Sequence, residues 1–250
     1  MATACFRFYA GLNDFLPPDR RGRPLCQQFE RKASVKDMIE SLGVPHTEIG
    51  LIVADGRPVT FSHIVRDGER ISVYPEFVDI ELPASLRLQP ALPRDIRFVV
   101  DANLGRLARY LRLIRFDTLY RNDYDDAEVA TISAAENRIL LTRDRTLLRR
   151  GIIRHGYFVR ADKPLEQLRE VVMRFDLADR VRPFARCIRC NGTLERVEKE
   201  KIIERLEPKT KRYYSDFLIC RDCGQIYWRG SHYRRAMAMV ETMLGRCARE

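Results

Sequence analysis

The sequence predicts a mixed α/β protein in three parts, and three observations support this prediction. From about residue 96 to about residue 176, short apolar runs alternate with amphipathic segments of helical spacing, which predicts a parallel sheet with helices on both faces. Before them, residues 1–80 show the order strand, strand, helix, strand, strand. After them, four cysteines fall in two CxxC pairs, a spacing typical of metal sites.

The first 80 residues have the element order of a β-grasp domain. Residues 3–10 alternate apolar and polar side chains as a strand does, and a second short strand is predicted at Leu25–Phe29. The stretch SVKDMIESLGV has helical spacing, with Ser34 placed to cap its start and Gly43 to end it. Two more strands follow in EIGLIVADG and RISVYP, with an Asp-Gly turn after the first.

This N-terminal stretch resembles the ubiquitin-like sulfur-carrier family. The resemblance lies in the helix, in the turn IVADGRPV and in the closing DGERISVYP. Sulfur carriers end in a free Gly-Gly whose carboxylate reacts, whereas this chain continues as VYPEFVDIELP. The resemblance therefore implies docking or scaffolding in place of carrier chemistry. Two interpretations stay open, recruitment of a protein partner and packing against the neighbouring domain.

A linker is predicted at residues 81–94, where Pro83, Pro90 and Pro93 punctuate the chain. Proline lacks an amide proton and disfavours helix, so the segment should be extended and semi-rigid.

An α/β domain is expected from residue 95 to residue 182. Its four predicted strands lie in IRFVVD, FDTLYR, RILLTRD and HGYFVRAD. The predicted helices are ANLGRLARYLRLI, DDAEVATISAAEN, RTLLRRG and PLEQLREVVMRFDL. The first of these helices has a buried-type stripe, formed by Leu104, Leu107, Ala108, Leu111 and Ile114.

Acidic residues follow all four predicted strands. They are Asp101 after the first, Asp123, Asp125 and Asp126 after the second, Asp144 after the third and Asp162 after the fourth. The carboxyl ends of parallel strands meet at one edge of a sheet, where α/β proteins bind ligands. Crowded carboxylates persist when a cation joins them, and oxygen ligands suit Mg²⁺ or Mn²⁺. For any single Asp, the alternative is a helix N-cap.

The second half of the chain resembles the Mut-seven C-terminal RNase domain family, a branch of the PIN-like nucleases. The residues that carry the resemblance are FVVDANLGRLARYLRLIRFDT, LLTRDRTLLRR and the two CxxC pairs. The resemblance implies a PIN-like parallel sheet with helices on both faces and a metal-dependent ribonuclease activity. It also implies that Asp101, Asp144, either Asp125 or Asp126, and Asp162 form the catalytic acid set, with Mg²⁺ or Mn²⁺ at Asp101 and Asp144.

Candidate RNA contacts lie beside these acids. Asn103 matches the D-x-N of many PIN domains, and Thr142 is placed to orient Asp144 or a water molecule. Arg109 and Arg112 fall on the side of their helix away from the leucine stripe, so we expect them to contact phosphate; a solvated helix face is the alternative. Arg106 and Arg143 complete this candidate set.

The cysteine pairs predict a zinc ribbon in residues 183–250. Four thiolates, from Cys187, Cys190, Cys220 and Cys223, make a closed tetrahedral Zn²⁺ site of structural type. The 29 residues between the pairs predict a long hairpin with a Lys-rich tip. A C-terminal amphipathic helix follows in SHYRRAMAMVETMLGR.

Basic and aromatic residues alternate in this ribbon, in an arrangement suited to unstacked RNA. We select Lys211, Arg212 and Trp228 as candidate contacts. Packing of the aromatic residues inside the ribbon is the equal alternative.

The charge is uneven along the chain. Residues 1–83 carry 10 Lys and Arg against 12 Asp and Glu, while residues 84–250 carry 35 against 23. The basic excess favours a polyanion partner, RNA, over a merely solvated surface. The compact, basic form suggests a structured small RNA such as tRNA.

Compartment and membrane signals are absent from the sequence. No apolar run approaches the roughly 20 residues of a membrane span. The N-terminus has no signal-peptide pattern, and the seven cysteines include a metal-type set. We therefore expect a cytoplasmic protein with reduced thiols and no membrane partner. The rival functions are a non-catalytic RNA-binding protein and a ubiquitin-like adaptor.

Overall fold

The structure is a computed structural model that describes residues 1–76 and 83–247. Two compact units are present. One contains residues 1–101 and 124–158, and the other contains residues 102–123 and 159–250. The start of the predicted linker, residues 81 and 82, lies outside the described residues.

The N-terminal part of the first unit is the predicted β-grasp domain. Its elements are β1 (Ala2–Phe8), β2 (Leu25–Phe29), α1 (Val35–Ser41), β3 (Ile49–Ala54), β4 (Arg57–Val59) and β5 (Arg70–Pro75). The strand order is β2-β1-β5-β3-β4, with β1 parallel to β5. The first and last strands of the domain, β1 and β5, therefore lie side by side in the interior of the sheet. This arrangement confirms the predicted fold of this part.

Local sequence signals explain the bounds of these elements. The Ser34 hydroxyl caps α1 by accepting a hydrogen bond of 3.1 Å from the Asp37 amide. Asp55 and Gly56 both have positive φ, 45° and 80°, the backbone that a two-residue hairpin turn between β3 and β4 requires. The core beneath the sheet is formed by fully buried apolar side chains, among them Phe6, Phe8, Ile39, Ile52 and Ile71.

Cys5 and Cys26 form a disulfide across the antiparallel pair β1 and β2. The expectation of reduced thiols is therefore wrong for this pair. The pairing depends on the register of the two strands, which sets Cys5 directly opposite Cys26, and the spacing of the two residues in the sequence does not show that register.

Strands and helices alternate in the central region, as predicted. They are β6 (Phe98–Val100), α2 (Gly105–Leu113), β7 (Thr118–Leu119), α3 (Asp126–Glu136), β8 (Ile139–Thr142), α4 (Arg145–Leu148), β9 (Gly156–Phe158) and α5 (Pro164–Arg174). Within the first unit, β8 lies between β6 and β9 and is parallel to both. Every residue of β6 and β8 is buried, which explains their continuous apolar runs.

The second unit is built around helix packing. The stripe predicted on α2 is buried, since Leu104, Leu107, Ala108, Leu111 and Ile114 are at most 2% exposed. Helix α2 packs on α5, and α5 packs on α7 (Ser231–Cys247). Helix α7 is the predicted C-terminal helix. Among the helices of the described residues, none is both long and apolar enough to span a membrane.

A small antiparallel sheet lies beside the two CxxC pairs of the second unit, and Cys220 is the last residue of one of its strands. Strands β10 (Leu194–Val197), β11 (Phe217–Cys220) and β12 (Ile226–Tyr227) pair in that order. The prediction of a long hairpin between the CxxC pairs is only partly right. The strands are short, and their connection contains α6 (Pro208–Tyr213), which begins at a proline whose fixed φ suits the first turn of a helix.

Candidate functional site

Asp101, Thr142 and Asp144 form a hydrogen-bonded set at the ends of β6 and β8. Asp101 is only 7% exposed. The Thr142 hydroxyl donates to Oδ2 of Asp101 at 2.8 Å and accepts from the Asp144 amide at 2.8 Å. One buried threonine therefore orients the carboxylate of the first acid and the backbone of the other.

Asp144 also begins the short helix α4. Its Oδ1 accepts a hydrogen bond of 2.6 Å from the Thr146 amide. The N-cap interpretation that we weighed for single acids holds here. This cap occupies one carboxylate oxygen of Asp144 and fixes the direction of the side chain.

Asp125 and Asp126, between which the sequence left a choice open, have different environments in the structure. Asp125 forms a capping box with Glu128 at the start of α3, through bonds of 2.8 and 3.1 Å. Asp126 is half-buried, and its pKa is raised by burial and by the negative charges of Asp144 and Asp101, against an opposing effect of Arg150. Asp126 is therefore the acid of this helix whose pKa responds to the charges of the other two.

The three acids Asp101, Asp126 and Asp144 thus belong to three elements of one compact unit and are near enough for their charges to interact. Their oxygens are not gathered as tightly as ligands around a single ion. Among the described residues, the four cysteines are the one group of three or more such ligands whose donor atoms all lie within 4.8 Å of one another. The acids face one another as a repulsive cluster, the arrangement that a divalent cation relieves.

Asp123 and Asp162 are placed differently from these three. Asp123 is exposed and forms an ion pair with Arg121 at 2.5 Å. Asp162 is exposed, precedes α5 and lies in the second unit. Strand β9 ends at Phe158, so Asp162 does not terminate the strand as the sequence suggested.

The candidate RNA contacts divide into exposed and buried residues. Asn103, Arg106 and Arg109 are exposed on or before α2, and Arg143 is exposed between Thr142 and Asp144. On α6, Arg212 is exposed and its guanidinium lies over the Tyr213 ring at 5.5 Å, while Lys211 is half-buried and its carbonyl accepts a bond from Lys199.

The prediction that Arg112 lies on an exposed helix face is wrong. It is 4% exposed and donates to three backbone carbonyls, those of Thr118, Ile188 and Arg189, at 2.9, 3.2 and 3.0 Å. Burial lowers the pKa of Arg112, while the nearby Cys190, Cys187 and Asp117 oppose that effect. The first CxxC loop covers this residue, so Arg112 fastens the loop to α2 and is not available to a phosphate.

Trp228 packs within the cysteine unit. Its ring lies 6.4 Å from those of Tyr214 and Phe217, beside the buried Ile202, Leu206 and Ile226. This geometry favours the packing alternative over a free stacking surface for RNA bases.

The four cysteines meet at one point. The Sγ atoms of Cys187 and Cys223 are 3.6 Å apart, and those of Cys190 and Cys220 are 3.4 Å apart. Burial alone would raise the pKa of Cys187, but hydrogen bonds from the Tyr227 hydroxyl and the Cys190 amide lower it to about 7. Burial raises the pKa of Cys190 to about 12 in the same cluster, so a bound metal ion would have to favour the thiolate, which is the form that binds.

The backbone of both CxxC loops makes this convergence possible. Asn191 and Gly224 have positive φ, 76° and 68°, one residue after the second cysteine of each pair. A Cβ on Gly192 would lie 2.9 Å from Sγ of Cys220, so only glycine fits there. Within the second unit, the side chain of Asn191 connects the first CxxC loop to the start of β7. It accepts a hydrogen bond of 3.0 Å from the Thr118 amide and donates one of 2.7 Å to the Asp117 carboxylate. No motif spacing marks Asn191 or Asp117, and the alternation of basic and aromatic residues does not show that Tyr227 contacts Cys187.

Known families match both parts of the chain. The Mut7-C RNAse domain family matches residues 96–240, more than half of the chain. The chain belongs to the Mut7-C RNAse domain family. The Mut7-C ubiquitin family matches residues 1–81. The Mut7-C region contains Asp101, Asp126, Asp144 and all four clustered cysteines, and it indicates a nuclease-like role for this protein.

Comparison with individual proteins adds little to the Mut7-C assignment. No curated protein matches the chain. The solution structure of the Haloferax volcanii HVO 2177 protein is similar over 31% of this chain and 86% of that one, with 18% identity. Its TM-score is 0.25, so it supports no argument about this Mut7-C protein.

Proposed function

We propose that this Mut7-C protein is a metal-dependent ribonuclease whose active site is formed by Asp101, Asp126 and Asp144. The observation that carries this proposal is the hydrogen-bonded arrangement in which the buried Thr142 holds the Asp101 carboxylate and the Asp144 backbone amide, with Asp126 close enough for the charges of both acids to raise its pKa. Carboxylates that repel one another reduce stability unless a cation compensates their charge, and a divalent cation at such a cluster is what a metal-dependent nuclease site requires.

Mg²⁺ or Mn²⁺ fits the residues present. The donors are carboxylate oxygens. Burial is the main cause of the raised pKa of Asp126, and the negative charges of Asp144 and Asp101 add to it; a divalent cation would compensate those charges. When bound, the ion supplies Lewis-acid stabilisation of the phosphate and an activated water. Asp101 and Asp144 would hold the ion, Asp126 would complete the acid set, and Thr142 would keep Asp101 in its orientation. Asp162 stays a candidate for a fourth acid.

RNA is the polyanion that we propose for the basic part of the chain. Four exposed candidates lie close in sequence to Asp101 or Asp144: Asn103, Arg106, Arg109 and Arg143. The most distant is Arg109, eight residues after Asp101. Lys211 and Arg212 are further candidates on α6, where the arginine is exposed. A structured small RNA such as tRNA is the first substrate to test.

The cysteine cluster is proposed to hold one structural Zn²⁺. Four thiolates complete a tetrahedral shell, so no open position is left for catalysis. Because Arg112 and Asn191 connect the first CxxC loop to α2 and β7, the metal would stabilise the second unit and not only its own loops.

The test of this function is incubation of total RNA with the protein and Mn²⁺, followed by sequencing of the RNA ends. New ends that depend on Mn²⁺ and are absent with Asp101→Asn support the proposal. Protein that binds the same RNA but produces no new ends would favour the non-catalytic RNA-binding alternative.

A further inference from the structure

The ubiquitin-like domain contacts the segment that carries Asp144. In one compact unit, the guanidinium of Arg145 donates to the carbonyls of Phe15 and Asp14, both at 2.9 Å. The same guanidinium lies over the rings of Phe15 and Phe158, at 5.4 and 5.6 Å. Two donors in a rigid fork on two successive carbonyls fix both the position and the orientation of this side chain.

A second arginine makes the same kind of contact one turn later. Nη1 of Arg149 donates to the Glu40 carbonyl at 3.1 Å, near the end of α1. Nε2 of the buried His46 donates in turn to the Ile153 carbonyl at 3.2 Å. The chain from residue 145 to residue 153 is therefore held to the ubiquitin-like domain at three points.

Strand β9 is held from the same side. The side chain of the buried Glu48 accepts a hydrogen bond of 2.7 Å from the Phe158 amide. The Phe158 ring packs against the hydrophobic core of the ubiquitin-like domain. In the sheet, Phe158 pairs with Thr142, the residue that orients Asp101.

These contacts reach the proposed active site through two short connections. Arg145 directly follows Asp144, and Phe158 is the neighbour of Thr142 across the sheet. Helix α4 has only four residues, and a single helical turn has little stability of its own. Its position must come from what packs against it, and part of that packing is the ubiquitin-like domain.

We propose that the ubiquitin-like domain is a positioning element of the nuclease site, and that Arg145 is the positioning residue through which it holds Asp144. This inference rests on the proposed function. The domain is then neither a carrier nor a freely tethered recruitment module, since it shares a compact unit with the three acids.

The test compares variants of the full chain with zinc bound. Arg145→Ala removes the contact, Arg145→Lys keeps the charge but loses the two-pronged geometry, and Glu48→Ala removes the second contact from the ubiquitin-like side. Arg57→Ala is the matched control, because Arg57 is an exposed arginine on β4 of the same unit. Three quantities are measured: Mn²⁺ binding by electron paramagnetic resonance without RNA, the rate of RNA cleavage at saturating RNA, and RNA affinity in EDTA.

We expect Arg145→Ala to weaken Mn²⁺ binding about tenfold and to lower kcat about tenfold to hundredfold, since small misplacements of catalytic groups have effects of this size. RNA affinity in EDTA should stay within about twofold of wild type, which a general loss of folding would not allow. Arg145→Lys and Glu48→Ala should lie between Arg145→Ala and wild type, and Arg57→Ala should match wild type.

If Arg145→Ala binds Mn²⁺ and cleaves RNA as well as wild type does, the positioning role is overturned. The ribonuclease proposal is left standing by that result. Wild-type protein that binds Mn²⁺ in an Asp101-dependent way but cuts no RNA would instead overturn the ribonuclease proposal, and the Mn²⁺ measurement would still decide the role of Arg145. Absence of Asp101-dependent Mn²⁺ binding in the wild type would overturn both.

Discussion

The hydroxyl of Thr142 donates a hydrogen bond of 2.8 Å to Oδ2 of Asp101. These two residues stand at the carboxyl ends of neighbouring parallel strands, β6 and β8. The bond therefore fixes the first acid relative to the strand that leads into Asp144. It also satisfies a carboxylate that is almost fully buried, where an unpaired charge would be costly.

Replacing Thr142 tests this orientation directly. Thr142→Val keeps the shape of the side chain but leaves the Asp101 carboxylate and the Asp144 amide without their partner. We expect a loss of about 1–3 kcal/mol in the free energy of unfolding and a fall in cleavage rate of at least about tenfold. Urea denaturation and single-turnover kinetics measure the two effects. Thr142→Ser, which keeps the hydroxyl, should restore most of both, and equal behaviour of the two variants would argue against the hydrogen bond.

Asp125 and Asp126 should respond in opposite ways to substitution. Asparagine is a good N-cap, so Asp125→Asn should cleave within a few-fold of wild type. Asp126→Asn removes an acid of the proposed site and should reduce cleavage by several orders of magnitude. Cleavage assays in Mn²⁺ compare them, and the reverse pattern would assign the middle acid to Asp125.

The raised pKa of Asp126 adds a stability test in metal-free buffer. The pKa of Asp126 in the folded protein is above its value in the unfolded protein, so ionisation of Asp126 lowers the free energy of unfolding. This loss of stability is absent at a pH below the pKa of the unfolded protein. It is complete at a pH above the pKa of the folded protein. At pH 7 with EDTA, the free energy of unfolding of Asp126→Asn should therefore exceed that of wild type by up to about 1 kcal/mol. Its melting temperature should be higher accordingly. The difference should vanish near about pH 3, below the usual pKa of Asp. A difference that persists at that pH would have another cause.

The sequence predicts element types well and side-chain environments less well. Periodicity found the helices and strands because α2 and β8 are buried in the patterns that periodicity detects. It misplaced Arg112, because a helical pattern shows only the residue's own helix and not the CxxC loop that covers it. It left Asp125 and Asp126 unresolved, because the capping acid and the acid that responds to the charges of Asp101 and Asp144 are adjacent at the start of α3. The Cys5–Cys26 bond needs the register of two strands, which the sequence does not contain.

Arg109 and Arg112 should now separate RNA binding from stability. Arg109 is exposed, so Arg109→Ala should weaken RNA binding and flatten the dependence of affinity on salt by about one phosphate contact. Arg112→Ala leaves three backbone carbonyls without their donor and should reduce the free energy of unfolding by about 3 kcal/mol or more. The measurements are RNA affinity against salt with EDTA present, and thermal unfolding. An Arg112→Ala protein of normal stability with a flattened salt dependence would restore Arg112 as a phosphate contact.

Zinc removal should unfold part of the second unit. We expect one Zn²⁺ per chain, held by Cys187, Cys190, Cys220 and Cys223, and its binding free energy contributes to folding. Cys187→Ser should lower both the zinc content and the melting temperature. Elemental analysis of protein purified without chelator measures the first and calorimetry the second. Cys223→Ser, at an exposed cysteine of the same cluster, can be compared with Cys187→Ser for zinc content and melting temperature. Wild-type protein that contains no zinc would contradict the assignment.

The central claim is that Asp101, Asp126 and Asp144 form a metal-dependent ribonuclease site, and single-turnover cleavage of a defined structured RNA tests it most directly. Wild type and Asp101→Asn are compared in Mn²⁺ and in EDTA, at matched RNA binding, and the chemistry of the product ends is determined. Attack by metal-activated water predicts Mn²⁺-dependent products without 2′,3′-cyclic phosphate, and a rate for Asp101→Asn that is lower by several orders of magnitude. Cleavage by Asp101→Asn within about tenfold of wild type, or equal cleavage in EDTA, would contradict the account.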